Sequence, residues 1–211
     1  MTDDHLRYSG LSISRQTETL REILRASPRM MDVMERVRLL DLPDAWIVSG
    51  AIYNTVWNAL TGRPDMHGVN DIDLFYFNHD TTWEAEDEVI RRVAEAIPGK
   101  PPVETRNQAR VHLWYEQRFG RPGPKFSSSR EALLYFAART HSVAARLEHD
   151  GNIAVHAPFG LDNIFSFRLV PNTIRPNRET HEAKAARQMA LWPELEFFPW
   201  PKHAMATLED T

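Results

Sequence analysis

The feature that most constrains this chain is a pair of aspartates set into an apolar run, DIDLFYF at residues 71–77. In a strand, residues two apart share a face. Asp71 and Asp73 therefore project together, with Phe75 and Phe77 continuing their face, while Ile72 and Leu74 turn the opposite way toward a core. Two carboxylates this close repel, and in dry surroundings one of them keeps its proton to an unusually high pH. A divalent cation removes the conflict. Mg²⁺ (or Mn²⁺) suits the pattern, because it takes one or two carboxylates, retains water and completes its shell with phosphate oxygens.

The stretch upstream supplies a place for such phosphates. Ala45 to Ser49 reads as a short buried strand, Gly50 turns the chain, and Ala51 to Leu60 reads as a helix stopped by Gly62. A strand turning at Ser49-Gly50 into a helix presents free backbone N–H groups at the positive end of the helix dipole. Glycine lets an anion approach the backbone closely, and Ser49 adds a hydroxyl.

Composition bounds the rest. The 211 residues suffice for one compact domain, and 42% hydrophobic with 26% charged residues is ordinary for a soluble globular chain. A formal charge of −4 argues against bulk, sequence-independent nucleic-acid binding. The absence of cysteine excludes disulfides, thiolate metal sites and cysteine nucleophiles. The polar, acidic start MTDDHLRYSG is unlike a secretory signal, and no apolar run is long enough to span a bilayer. The expectation is a cytoplasmic protein with no membrane partner.

Periodicity predicts helices over Thr17 to Ala26 and from Ser27-Pro28 to Pro43, the second carrying Met31, Met34, Val37 and Leu40 or Leu42 inward. Further helices are expected from Thr81 or Thr82 to Ile97, from Ser128 with Glu131 as a capping box to about Arg139, and over Glu179 to Ala190. Val103 to Thr105 and Ala109 to Tyr115 look extended. Asp150-Gly151, between two apolar runs, reads as a hairpin turn, and Leu161 to Phe165 as a single helical turn. Helices and strands alternate without strict βαβ regularity, so the fold class is α+β around one sheet. The expected organisation is an N-terminal helical segment (1–43) packed on a core domain (44–201), whose residues 127–201 form a C-terminal α/β extension, followed by a weakly patterned tail (202–211).

Ser49-Gly50 followed by Asp71-Ile72-Asp73 resembles the signature of the DNA-polymerase-beta-type nucleotidyltransferase superfamily. More closely, the chain resembles a family of bacterial nucleotidyltransferase-like proteins. GAIYNTVWN (50–58), DIDLFYF (71–77), VETRNQARVHLWY (103–115), APFGLDNIF (157–165), RPN (175–177) and the closing WPEL and PW carry the likeness. The resemblance implies a mixed, largely antiparallel palm-like sheet with flanking helices. It implies Asp71 and Asp73 as metal ligands, with Ser49 and Gly50 holding nucleotide phosphates. Glu104 is the candidate for the third carboxylate, which in such sites binds metal and helps activate the attacking hydroxyl. The turn reads Ser-Gly where the superfamily carries Gly-Gly or Gly-Ser. The connection to Asp71 is longer than usual, so Asp65 or Met66-His67 is expected to add a loop over the site.

Each feature has a plainer reading. Asp-x-Asp by itself is a weak motif, Glu104 fits an exposed strand edge, and Ser49 fits any tight turn. Arg106 and Arg110, in the polar run Arg106 to Arg110, fit triphosphate oxygens or a solvated loop. Trp57 and the methionines read as core. The leading expectation is metal-dependent transfer of a nucleoside monophosphate from an NTP to a hydroxyl of a small molecule or protein. The alternatives are a non-catalytic or regulatory nucleotide-binding protein on the same fold and, less favoured, a nucleotide-sugar glycosyltransferase using Asp-x-Asp as its metal clamp.

Overall fold

The computed structural model describes residues 4–202, so the predicted tail lies outside the described residues except for Lys202. Helix α1 (Ile13–Ala26) begins where the Ser12 side chain accepts the Arg15 N–H. Helix α2 (Pro28–Leu40) begins where Ser27 does the same for Met30, with Pro28 in the first turn, where no N–H is required. The inward face of α2 is Met30, Val33, Met34 and Val37. Met31, expected inward, is only half-buried.

Five strands form the central sheet: β1 (Trp46–Val48), β2 (Ile72–Tyr76), β3 (Val103–Asn107), β4 (Ala144–Leu147) and β5 (Ile153–His156), in the order β3-β2-β1-β4-β5. β2 and β3 run parallel, and the other neighbours are antiparallel. Parallel neighbours need a crossover, supplied by α4 (Trp83–Ala96), whose first turn is capped by Thr82. β1 and β2 are joined through α3 (Gly50–Thr61). β4 and β5 form the hairpin that Asp150-Gly151 predicted, with Gly151 at φ 82. Both hairpin strands belong to the same sheet as Asp73, so residues 144–156 complete the sheet that begins at Trp46.

Alternation along β2 divides the molecule. Ile72, Leu74 and Tyr76 are fully buried in the main core, with the apolar faces of α1 to α4. Asp73 and Phe75 face the other side, in register with Val48 and Trp46 of β1. There a smaller cluster of Trp46, Val48, Leu133 and Ala144 packs against Phe75 and Phe136.

Two expectations about local structure are corrected. Ala109 to Tyr115 is not extended. Asn107 caps a 3₁₀ turn (Gln108–Arg110) by accepting the Ala109 N–H, and α5 (Val111–Phe119) follows, ending at Gly120 with φ 68. Leu113, part of the apparent alternation, is 55% exposed, whereas Val111 is buried and Tyr115, four residues on, is half-buried. The helix from Ser128 is also shorter than expected: α6 (Ser129–Ala132) passes into a 3₁₀ turn over Leu133–Tyr135. The Asn172 side-chain amide donates to the carbonyls of Leu134 and Phe136 at 2.7 and 2.9 Å. Those acceptors are thereby satisfied without further helix.

The chain closes through α7 (Asp162–Phe165), β6 (Arg168–Leu169), α8 (Arg178–Leu191) and β7 (Glu196–Phe197), with β6 and β7 paired. Trp192, just past α8, is fully buried against Trp57, and its indole N–H donates to Asn58 Oδ1 at 3.1 Å. Among the described residues, no helix is long and apolar enough to cross a membrane.

Candidate active site

β1 delivers the chain to the turn, and Ser49 takes a backbone conformation of φ 59, ψ −117. Side chains are strained in this left-handed region and glycine is not. The strained residue of the Ser-Gly turn is therefore Ser49, and Gly50 is an ordinary first residue of α3, which corrects the expectation that Gly50 makes the bend. The constraint comes from both sides: the Ser49 N–H donates to Val143 at 2.8 Å, and its carbonyl accepts from Ile52 and Tyr53. The first N–H groups of a helix lack intrahelical acceptors, and no side chain caps this one. A Cβ on Gly50 would meet only the Tyr53 hydroxyl, at 3.7 Å.

A buried polar chain lies beneath the turn. Gln188 Nε2 of α8 donates to the Tyr53 hydroxyl at 2.7 Å, and Gln188 Oε1 lies 3.1 Å from Nε2 of His141. The Tyr53 ring stacks on His141 at 4.9 Å, and its hydroxyl lies against that of Ser49. Burial holds His141 neutral, pushing its pKa down to about 3. Burial also raises the Tyr53 phenol well above its ordinary value. Ser49 is itself buried and turned toward this chain.

Asp71 immediately precedes β2 and Asp73 lies within it, both partly exposed beside the fully buried Ile72. Asp73 is registered against Val48 on one side and Glu104 of β3 on the other. Burial raises the Asp73 pKa to about 6; Asp71 and Glu104 push it further up, while Lys184 and Arg106 oppose them. The conflict between carboxylates expected from the sequence is present. Asp71 and Asp73 give the hard oxygen donors that Mg²⁺ takes. Glu104 does not turn its carboxylate to them; it leans to Arg106 Nη2, at 3.8 Å. Accordingly, among the described residues, no group of three or more Asp, Glu or His side chains converges on one point as a metal site.

Arg110 does not join this group. Its guanidinium is buried in an ion pair with Glu86 of α4, whose other oxygen accepts the Asn107 N–H at 2.9 Å. A guanidinium so committed fixes α4 to the 3₁₀ turn after β3 and is not free for phosphate. The expected loop over the site is also absent as such. Asp65 accepts the Ser27 hydroxyl at 2.8 Å, and His67 and Gly68 pack on Trp192, so the segment staples α2 to the closing turn.

The structure adds cations that sequence reasoning missed. Lys184 and Arg187 lie one turn apart on α8; Lys184 is near enough to Asp73 and Asp71 to feel their charge, and Arg187 lies near Lys184, Tyr53 and His141 beneath the turn. Although the Lys184 residue as a whole is exposed, crowding by protein lowers its pKa against the pull of Asp73 and Asp71. In sequence they are two basic residues of a polar helix, indistinguishable from a solvated face. Their position depends on Ala185 and Trp192 anchoring the helix in the core.

A family model described as nucleotidyltransferase matches residues 35–197, spanning every element just described from the end of α2 to β7. The chain belongs to this nucleotidyltransferase family. A structure determined by NMR and described as a CCA-adding enzyme head domain is similar, with a TM-score of 0.71 and 24% identity over 87% of this chain and 96% of that one. That likeness establishes the fold, which is the polymerase-beta type. No curated protein matches the chain. Family membership and fold together support transfer of a nucleoside monophosphate in general terms.

Proposed function

We propose that this nucleotidyltransferase moves an NMP from an NTP to a hydroxyl acceptor at the β1–β2–β3 end of the sheet. The observation that carries the proposal is the register that sets Asp73 opposite Val48, just before an uncapped helix start, with Lys184 of α8 near enough to offset its charge. The N–H groups of Gly50 and Ala51, with Lys184 and Arg187, would receive the β- and γ-phosphates, because a helix N-terminus and flexible cations suit a polyanion. Ser49 contributes its backbone geometry, since its hydroxyl is turned toward Tyr53. Asp71 and Asp73 would hold Mg²⁺ (or Mn²⁺). Such an ion, when bound, supplies positive charge to the α-phosphate and to the departing pyrophosphate.

The chain's own residues then account for positioning and proton movement. The acceptor oxygen forms a bond to the α-phosphorus as the bond from that phosphorus to its β-bridging oxygen breaks. Pyrophosphate leaves with the electron pair toward Lys184 and Arg187. Glu104, beside Asp73 and solvent-accessible, takes the hydroxyl proton after its carboxylate swings from Arg106. Arg106 remains to screen Glu104 and to meet anionic oxygen; Arg110 has no part in this reading.

The test is pyrophosphate release from each NTP with Mg²⁺ and a panel of hydroxyl compounds. Activity in the wild type that falls at least ~10³-fold in Asp71→Asn and Asp73→Asn, with folding retained, is expected if these residues carry charge stabilisation. Tight Mg²⁺–NTP binding without turnover in any acceptor would favour the regulatory reading. Family and fold favour nucleotidyl transfer over the nucleotide-sugar alternative.

A further inference from the structure

Beside the carboxylates, on the same sheet face, lies an apolar cavity of about 240 Å³. Phe75 and Arg106 line it; these follow Asp73 and Glu104 by two residues, which is roughly 7 Å along each strand. Its walls come from α5 (Val111, Trp114), from the end of the 3₁₀ turn after α6 (Tyr135) and from Phe136, which follows that turn. Phe75 and Phe136 meet edge to face at 5.9 Å. Arg175 closes the far side, its guanidinium 5.2 Å from the centre of Tyr115 and 5.8 Å from that of Tyr135.

Resting on the nucleotidyl-transfer reading, we infer that this cavity receives the acceptor, and that the acceptor is a small molecule presenting a hydroxyl on or next to an aromatic ring. Direction is the first argument. In an in-line displacement the attacking oxygen approaches opposite the departing pyrophosphate. The α3 start, the proposed receptor for pyrophosphate, lies at the Asp71 side of Asp73, because β1 runs antiparallel to β2 with Val48 opposite Asp73. The cavity opens on the other side, past Phe75. The attacking hydroxyl therefore arrives from the cavity, on the side of Glu104, which precedes the lining residue Arg106 by two positions on β3.

Chemistry is the second argument. Five of the named walls are apolar or aromatic, and flat rings bury well against them in offset or edge-on contact. The hydroxyls of an open-chain polyol would lose water against these walls without partners. Of the two lining guanidiniums, Arg106 has Glu104 beside it at 3.8 Å, and Arg175 is engaged with the Pro122 carbonyl and the Tyr115 and Tyr135 rings. At about 240 Å³, against about 150 Å³ for a cavity that takes benzene, it accommodates a substituted single ring or a fused pair, which sets the size class.

The acceptor hydroxyl forms its new bond to the α-phosphorus and gives its proton to Glu104, and pyrophosphate leaves, as above. The experiment uses 4-methylphenol and benzyl alcohol as probes, against glycerol and a short RNA. The probes are titrated into the full chain while aromatic NMR signals are followed, and tested as acceptors with NTP labelled at the α-phosphate. The expected result is saturable shifts at Phe75, Trp114 and Tyr135 within about 10 mM probe, and label transferred to the ring alcohols. Trp114→Ala and Phe136→Ala, on different walls and checked for retained Tm, weaken probe binding at least tenfold with Mg²⁺–NTP affinity unchanged.

Three results would overturn the inference. One is that no ring alcohol shifts these residues. Another is that the two variants weaken NTP binding instead, which would give the cavity to the nucleobase. The third is that the RNA, and not the probes, perturbs the same residues and accepts the label. Calorimetry with Mg²⁺ and NTP is run separately. Absence of nucleotide binding there defeats the transfer reading, while the probe titration still reports what the cavity holds.

Discussion

Asp73 carries the sharpest consequence at the scale of one residue. Its pKa in the folded protein is raised to about 6 by burial, then by Asp71. The metal-free folded chain therefore holds this proton more tightly than the unfolded chain does. The unfavourable term is absent below the unfolded value, grows from about pH 4 to pH 6, and is complete above that. Asp73→Asn should raise the Tm of metal-free protein by a few degrees at about pH 8 and leave it nearly unchanged at about pH 4. Thermal melts across that range in chelator check it; a variant that is destabilised at high pH would contradict it. Lys184 gives a second residue-scale prediction. Lys184→Met removes a cation from the phosphate side while leaving the core untouched, so NTP affinity should fall roughly tenfold or more, with Tm unchanged. Calorimetry beside a melt separates the two effects.

At the scale of elements, the turn from β1 into α3 is held in a conformation that Ser49 adopts at a cost. Ser49→Gly removes that cost, and Ser49→Val adds β-branching at a φ of 59. The glycine variant should melt at or above the wild-type temperature, and the valine variant should lose about 1–3 kcal/mol. Equal melting of both would show that the backbone is not strained there. The same turn shows what a sequence can reveal. The order strand, small-residue turn, helix, Asp-x-Asp strand was legible from DIDLFYF and GAIYNTVWN, because alternation and glycine placement are local properties. Which of the two turn residues takes positive φ was not legible, since Val143 of a distant segment fixes it. α5 was misread for a related reason. HLWY alternates over only a few residues, and the decisive signals were the Asn107 cap and the Gly120 stop. Arg110 resembled a phosphate ligand until Glu86, 24 residues earlier in the chain, was seen to take its charge.

At the scale of the whole molecule, the site depends on the last helix reaching back to the first strands. Glu104 meets Asp73 through the parallel β2–β3 register, and Lys184 and Arg187 arrive on α8, more than a hundred residues after Asp71. No local pattern announces either meeting: Glu104 was legible only through the family resemblance, and Lys184 and Arg187 were not legible at all. Trp192 is the anchor that couples core to site: it is fully buried, bonded to Asn58 and packed on Trp57. Trp192→Ala should cost about 3–5 kcal/mol, and at temperatures where the chain remains folded it should also weaken NTP binding, because α8 loses its hold. Stability loss with undiminished nucleotide affinity would separate α8 from the site. The central claim is that Asp71 and Asp73, near the start of α3 and Lys184 of α8, bind a metal–nucleotide complex. The most direct measurement is calorimetric titration of NTP with and without Mg²⁺, in the wild type and in Asp71→Ala/Asp73→Ala. The account predicts metal-dependent binding that the double variant loses while still folded. Metal-independent binding, or equal affinity in the two proteins, would contradict it.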